Sequence, residues 1–217
     1  LAPGAALAAI TAQPAGPVGP VECVHVPAGS DPDTVTLVAL AVAIARVRAT
    51  APAPLGTGPE LLVDVERDGR GSAETDPDCT RTVGPFAVPV PLRIPVTVDA
   101  AAVVAAVEAA RAAAPAGGTG YAQLRYLNAQ AAPAFAALAR ADVLVRVDSA
   151  ASAVAVERRV APGYALEISV RVTGDAEAAV LEATVRSDGR LLDTELRDLA
   201  TAWSDAVNAQ VGAGADR

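Results

Sequence analysis

The sequence has no methionine and no lysine, one histidine, one tryptophan and two cysteines, and only 3% of it is aromatic. Each shortage excludes something. Without lysine the 17 basic residues are all arginine, which with the abundant alanine reads as the codon bias of a GC-rich genome, so the arginines carry no collective meaning. Few rings and 52% hydrophobic residues imply an interior of Ala, Val, Leu and Ile, packed through many small contacts. Cys23 and Cys79 sit far apart and outside any Cys-x-x-Cys spacing, which argues against a metal site and leaves reduced thiols of a cytoplasmic protein as the expectation. Leu1 is not a natural translation start, so we expect a piece of a longer chain rather than a processed product.

Positive charge is short too. A formal net charge of -8 argues against nucleic acid or an anionic membrane as partner, since neither phosphates nor acidic headgroups would be attracted. No uncharged apolar run reaches the roughly 18 residues of a membrane span. The Ala-rich stretch from Val35 to Val47 is shorter and runs into Arg46 and Arg48. Small molecules or proteins are the expected partners.

At 217 residues one domain is the default. Residues 1–20, dense in Ala, Pro and Gly, read as a linker or peripheral extension. VECVHV reads as a strand and PAGSDPD as a turn. TVTLVALAVAIARVRAT is apolar around its whole circumference, the pattern of a helix buried on most sides, with Asp31 or Asp33 as its cap. ELLVDVERDGR reads as a central strand buried on both faces whose C-terminal end opens toward a site. The prolines of AVPVPLRIPVTV demote that strand to an edge or a bulged crossing. VDAAAVVAAVEAARAAAP is an amphipathic helix capped by Asp99 and broken at Gly117 and Gly118. Two short helices, GTGYAQLRYLN and APAFAALARA, precede strands in ADVLVRVDSA, SAVAVERRV, YALEISVRVTG and AVLEATVRSDG, and a last helix runs from Asp193 to Val211. This order predicts an α/β or α+β class with a mixed sheet covered mainly by helices on one side.

Four segments in order resemble the C-terminal lobe of nonribosomal-peptide-synthetase condensation and epimerization domains. LLVDVERDGR is similar to a strand ending in Glu-Gly-His-Gly-Arg, matching at Glu66, Gly69 and Arg70, with Asp68 where histidine is expected. DCTRTVGPFAVPVPLRIPV is similar to Asp-x-x-Arg-Thr-Val-Gly-x-Phe leading into a Pro-x-Arg strand; it matches at Asp78, Arg81, Thr82, Val83, Gly84, Phe86, Pro91 and Arg93. GTGYAQLRYLN resembles the Gly-x-Gly-Tyr-Gly-x-Leu-Arg-Tyr-Leu of epimerization domains at Gly118, Gly120, Tyr121, Leu124, Arg125, Tyr126 and Leu127, and is the most specific of the four. YALEISVRV and DTELRDLATAWSDAV resemble the closing strand and helix of the epimerization branch. Departures stand beside these matches: Arg146 occupies the asparagine position of a Phe-Asn-Tyr-Leu-Gly motif, and Pro85 replaces a tryptophan.

The resemblance implies an α/β fold over residues 21–217, a chloramphenicol acetyltransferase-like lobe whose mixed sheet is covered by helices. It implies that chemistry occurs in a tunnel between two lobes, where an N-terminal His-His-x-x-x-Asp-Gly motif supplies the central histidine. This chain lacks that motif, and His25 in VECVHVP reads as a strand-edge or loop imidazole. The resemblance makes Glu66 the acid/base candidate, because moving a proton from one face of an α carbon to the other needs two groups, and Glu66 supplies one. Its plainer reading is a strand-end carboxylate paired with Arg67, Arg70 or Arg81. Arg70 and Arg81 are read as loop supports reaching Glu66, Asp68 or Asp78, since guanidinium forks pair well with carboxylates. Tyr121 and Arg125, four apart on a presumed helix, share a face that is either a tunnel wall or a packed pair.

The implied partners are an N-terminal condensation lobe and a peptidyl carrier protein. No cofactor is expected to bind directly; the phosphopantetheine arm of the carrier is implied. Three functions follow: half of an epimerization or condensation domain acting on carrier-bound aminoacyl or peptidyl thioesters and inactive alone; a degenerate, non-catalytic scaffold or interaction module; or a stand-alone acyltransferase-like enzyme, which the missing histidine motif argues against. An isolated lobe is also expected to expose an apolar face where its other half would pack.

Overall fold

Along most of the strands apolar residues alternate with polar ones, and that period of two sorts a sheet into an oily face and a wet one. The computed structural model describes residues 18–27, 30–50, 55–70, 81–84, 86–114, 118–149, 161, 163–174 and 178–215. In chain order the elements are β1 (Val18–Pro27), α1 (Pro32–Thr50), β2 (Glu60–Asp68), β3 (Ala87–Pro95), α2 (Ala100–Ala113), α3 (Thr119–Ala122) continuing into a π turn (Gln123–Leu127), α4 (Ala132–Ala136), β4 (Val143–Ser149), β5 (Leu166–Gly174), β6 (Ala178–Ser187) and α5 (Asp193–Ala215).

The six strands form one mixed sheet in the order β1-β6-β5-β4-β2-β3. β4 runs parallel to both of its neighbours, β2 and β5, and the remaining pairs are antiparallel. One face carries Leu61, Val63 and Val65 of β2, Val143 and Val145 of β4, and Leu166, Ile168 and Val170 of β5, all buried. Against the core they build lie α1, α2 and α5, with α1 packed between the other two. That position explains why α1 is apolar all round: every residue from Thr36 to Ile44 is buried. Each fully buried Leu or Ile there contributes about 2 kcal/mol relative to exposure. The lone tryptophan, Trp203 of α5, is 1% exposed and reaches back to α1.

Capping follows the sequence. The Asp31 carboxylate accepts the Thr34 amide at 3.2 Å and its hydroxyl at 2.6 Å, starting α1, and Asp99 accepts the amides of Ala101 and Ala102 at 3.1 and 3.2 Å, starting α2. Asp33 is paired instead with Arg67 of β2 and Arg111 of α2. The prolines of β3 place it at the sheet edge, as expected.

Several expectations need correction or lie beyond view. β2 is not buried on both faces: Leu61, Val63 and Val65 are buried while Leu62, Asp64 and Glu66 are only partly so. The three long helices all stand on the other side of the sheet, and β2 is next to the edge. β1 begins at Val18, inside the stretch read as linker. The strand expected at SAVAVERRV lies outside the described residues. No helix among the described residues is long and apolar enough to cross a membrane.

Candidate functional site

The sheet face away from the three long helices, here called the open face, carries Asp64, Glu66, Arg146 and Glu167 beside the buried Leu144, and register decides which polar groups meet. Asp64 and Glu66 are two apart on β2 and share that face. The parallel pairing of Val65 with Val145 brings Arg146 beside Glu66, and the pairing of Leu144 with Glu167 brings Glu167 to the same row. Arg146 Nε donates to Glu66 Oε2 at 2.8 Å and its Nη1 to Glu167 Oε1 at 2.8 Å. Glu167, wholly buried, also accepts the Ser169 hydroxyl at 3.1 Å and the Ala161 amide at 3.0 Å. One arginine thus bridges two carboxylates across three strands. Burying such charges is costly unless they are paired and hydrogen-bonded, and here they are.

The arginines proposed as partners of Glu66 lie elsewhere. Adjacent strand residues point to opposite faces, so Arg67 turns to the helix side and pairs with Asp33. Arg70 donates to Asp68 at 3.3 Å and to the Thr82 carbonyl at 3.0 Å, with its guanidinium 4.2 Å over the Phe86 ring. Gly69 donates its amide to the Phe86 carbonyl at 2.8 Å, and a Cβ there would come within 2.7 Å of that oxygen. Arg81 is exposed; Asp78 lies outside the described residues.

Tyr121 and Arg125 do meet. Arg125, 7% exposed, donates through Nη1 to the Tyr121 hydroxyl at 2.6 Å and to the Phe135 carbonyl at 3.0 Å, while the Tyr121 and Phe135 rings pack edge to face at 5.6 Å. The pair is packed, and these side chains also line a cleft of about 100 Å³ on the open face. Asp64, Tyr126, Arg140 and Tyr164 complete its polar lining, with Pro91, Ala139, Ala141 and Gly163 as the rest of the wall. The Tyr164 hydroxyl donates to Asp64 Oδ2 at 2.6 Å. Burial pushes the Asp64 carboxyl above the ordinary aspartate value, partly offset by that hydrogen bond and by the Arg125 charge; burial and the Asp64 contact push the Tyr164 hydroxyl up.

Asp64, Glu167 and Tyr164 were missed by sequence reasoning, and Arg146 was read only as a departure. The signal was present: Asp64 in LLVDV and Glu167 in YALEISV are acids inside apolar runs, and such acids need donors on their own face. His25 and Cys23 are exposed on β1, at the far edge of the sheet from β2. Exposed apolar side chains, including Leu124, Tyr126, Leu127 and Leu138, gather around the π turn and α4. Among the described residues Val83, Val98 and Leu192 are exposed as well, away from the site, so no single apolar face of the kind expected of an isolated lobe stands out.

No family model and no curated protein matches the sequence, whereas solved structures do. The epimerization domain from the third module of tyrocidine synthetase B is similar at a TM-score of 0.63 and 15% identity, over 88% of this chain and 48% of that one. The X-domain from teicoplanin biosynthesis is similar at 0.60 and 17%, over 93% and 49%; an X-domain in complex with OxyB gives 0.54 and 18%, over 92% and 48%. A structure described for condensation domain-mediated chain release from the enacyloxin polyketide synthase gives 0.57 and 16%, over 92% and 42%. The chain spans less than half the length of each of these. It has the fold of one lobe of a condensation- or epimerization-type domain, chloramphenicol acetyltransferase-like, and by the order of its motifs that lobe is the C-terminal one.

Proposed function

We propose that this chain is the C-terminal half of a nonribosomal peptide synthetase epimerization or condensation domain. It forms one wall of a reaction tunnel for thioesters carried on the phosphopantetheine arm of a peptidyl carrier protein in the cytoplasm. The observation that carries this reading is the open face, on which Glu66 stands in a row of strands, in a fold that fills about 90% of this chain but under half of the similar structures. Glu66 would exchange a proton at the substrate α carbon, and the opposing group would come from a histidine-bearing N-terminal lobe. The chain alone is inactive on this account. Supplying such a lobe in trans with a carrier-bound aminoacyl or peptidyl thioester should give epimerization that Glu66→Gln abolishes; a folded two-lobe complex without turnover would overturn the proposal.

A second reading, a non-catalytic scaffold, is favoured by one specific observation. Glu66 Oε2 is already held by Arg146, which stands where the resemblance places an asparagine. An arginine holding that carboxylate converts a reacting group into a cross-strand tie. The X-domain in complex with OxyB gives this reading its form, a domain of similar fold bound to another protein. If Arg146→Asn in the two-lobe complex raises turnover from zero, the tie is what silenced a catalytic Glu66; if no variant turns over, the scaffold reading stands.

A further inference from the structure

The cleft between β2, the π turn and the segment leading into β5 is not used by the chemistry assigned to Glu66, yet its lining is specific. Arg125 and Arg140 contribute two positive charges and Asp64 one negative charge, with the Tyr121, Tyr126 and Tyr164 side chains around them. Arg125 is buried, its Nη1 bonded to Tyr121 and the Phe135 carbonyl and its charge acting on Asp64, whereas Arg140, which also lines the cleft, is exposed. Asp64 gives Oδ2 to the Tyr164 hydroxyl, and a carboxylate has acceptor capacity beyond one such bond. A simple cation entering here would meet two guanidinium groups, and a simple anion would meet Asp64. A small molecule carrying both charges satisfies both walls.

Size narrows the class. A cavity of ~150 Å³ takes a benzene ring, so the cleft, at about 100 Å³, suits a smaller group such as an amine nitrogen, an α carbon and a carboxylate. We propose that this cleft binds the zwitterionic head group of a free α-amino acid, its ammonium on Asp64, its carboxylate at Arg140, and its side chain toward solvent. Asp64 and Glu66 lie two residues apart on one face, about 7 Å along the strand, so an occupant would sit beside the tunnel wall without occupying Glu66.

The test is titration of the 217-residue chain with alanine, alaninamide and N-acetylalanine, followed by ¹H–¹⁵N spectra. Alanine should give saturable shifts around Tyr121, Tyr126 and Tyr164 in the millimolar range. Each blocked analogue, having lost one charge, should bind at least about tenfold more weakly. Asp64→Asn and Arg140→Gln should each abolish the alanine response, and because Arg140 is exposed its variant keeps the fold and decides the matter alone if Asp64→Asn does not fold. Equal responses to all three compounds, no saturable shift by about 50 mM alanine, or an unchanged response in Arg140→Gln would overturn the site. None of these outcomes bears on turnover by a two-lobe complex, which tests Glu66 separately.

Discussion

At the scale of single residues the open face is governed by which charges have partners. Glu167 has no exposure and depends on Arg146, Ser169 and the Ala161 amide. Removing the arginine as Arg146→Met leaves that buried carboxylate short of its cation, and we expect a loss of about 3–5 kcal/mol in urea unfolding. Glu66, whose side chain is 21% exposed, can rehydrate, so Glu66→Gln should cost about 1 kcal/mol or less. Two aspartates should respond to pH with opposite signs. Burial raises Asp64, so its ionised form is the one the fold disfavours, and the native chain should lose stability relative to Asp64→Asn as pH rises from below the ordinary aspartate range through the raised folded value. For Asp31, burial is outweighed by hydrogen bonds from Thr34 and Arg111 and by the Arg111 charge, which together hold its carboxyl low. Its contribution is present above the ordinary range and is lost as pH falls through the folded value, measured against Asp31→Asn. A pH series of urea titrations on both variants checks the pair of signs.

Among the elements, α3 and its π turn hold the cleft in place by a close approach to the sheet. Gly118 has φ +90°, and a Cβ there would lie 2.2 Å from Val90 Cγ1 on β3. Gly118→Ala therefore combines a left-handed backbone with a clash, and should cost about 2–4 kcal/mol in thermal or urea unfolding. It should also displace Tyr121 and Arg125 from the cleft. Elements were the most legible part of the sequence, because hydrophobic period, Asp caps and prolines act locally: Asp99 announces α2, the continuous apolar circumference of α1 announces its burial, and the prolines of β3 announce an edge. Partners across strands were not legible. Alternation places Arg67 and Glu66 on opposite faces, which sequence alone could have given, but choosing Arg146 requires knowing that β4 lies beside β2. That adjacency spans about 80 residues of intervening chain and is set by the packing of helices on the far face, which no local pattern encodes.

For the molecule as a whole, one core and one tryptophan make folding easy to follow. Trp203 is enclosed between α5 and α1, so its emission should be blue-shifted when native and should shift red in the same denaturant range as far-ultraviolet circular dichroism; separated transitions would mean that the helices and the sheet do not unfold as one unit. The sheet also has a border rich in proline. Pro89, Pro91 and Pro95 fall on the same alternating positions of β3, while the Gly69 amide bonds to the Phe86 carbonyl on the opposite alternation, the one facing β2. The absent N–H groups are therefore those that would have pointed away from the sheet. Self-association by strand addition is chemically terminated along that border. Replacing Pro89 and Pro91 with valine should restore it and bring on oligomers detectable by light scattering.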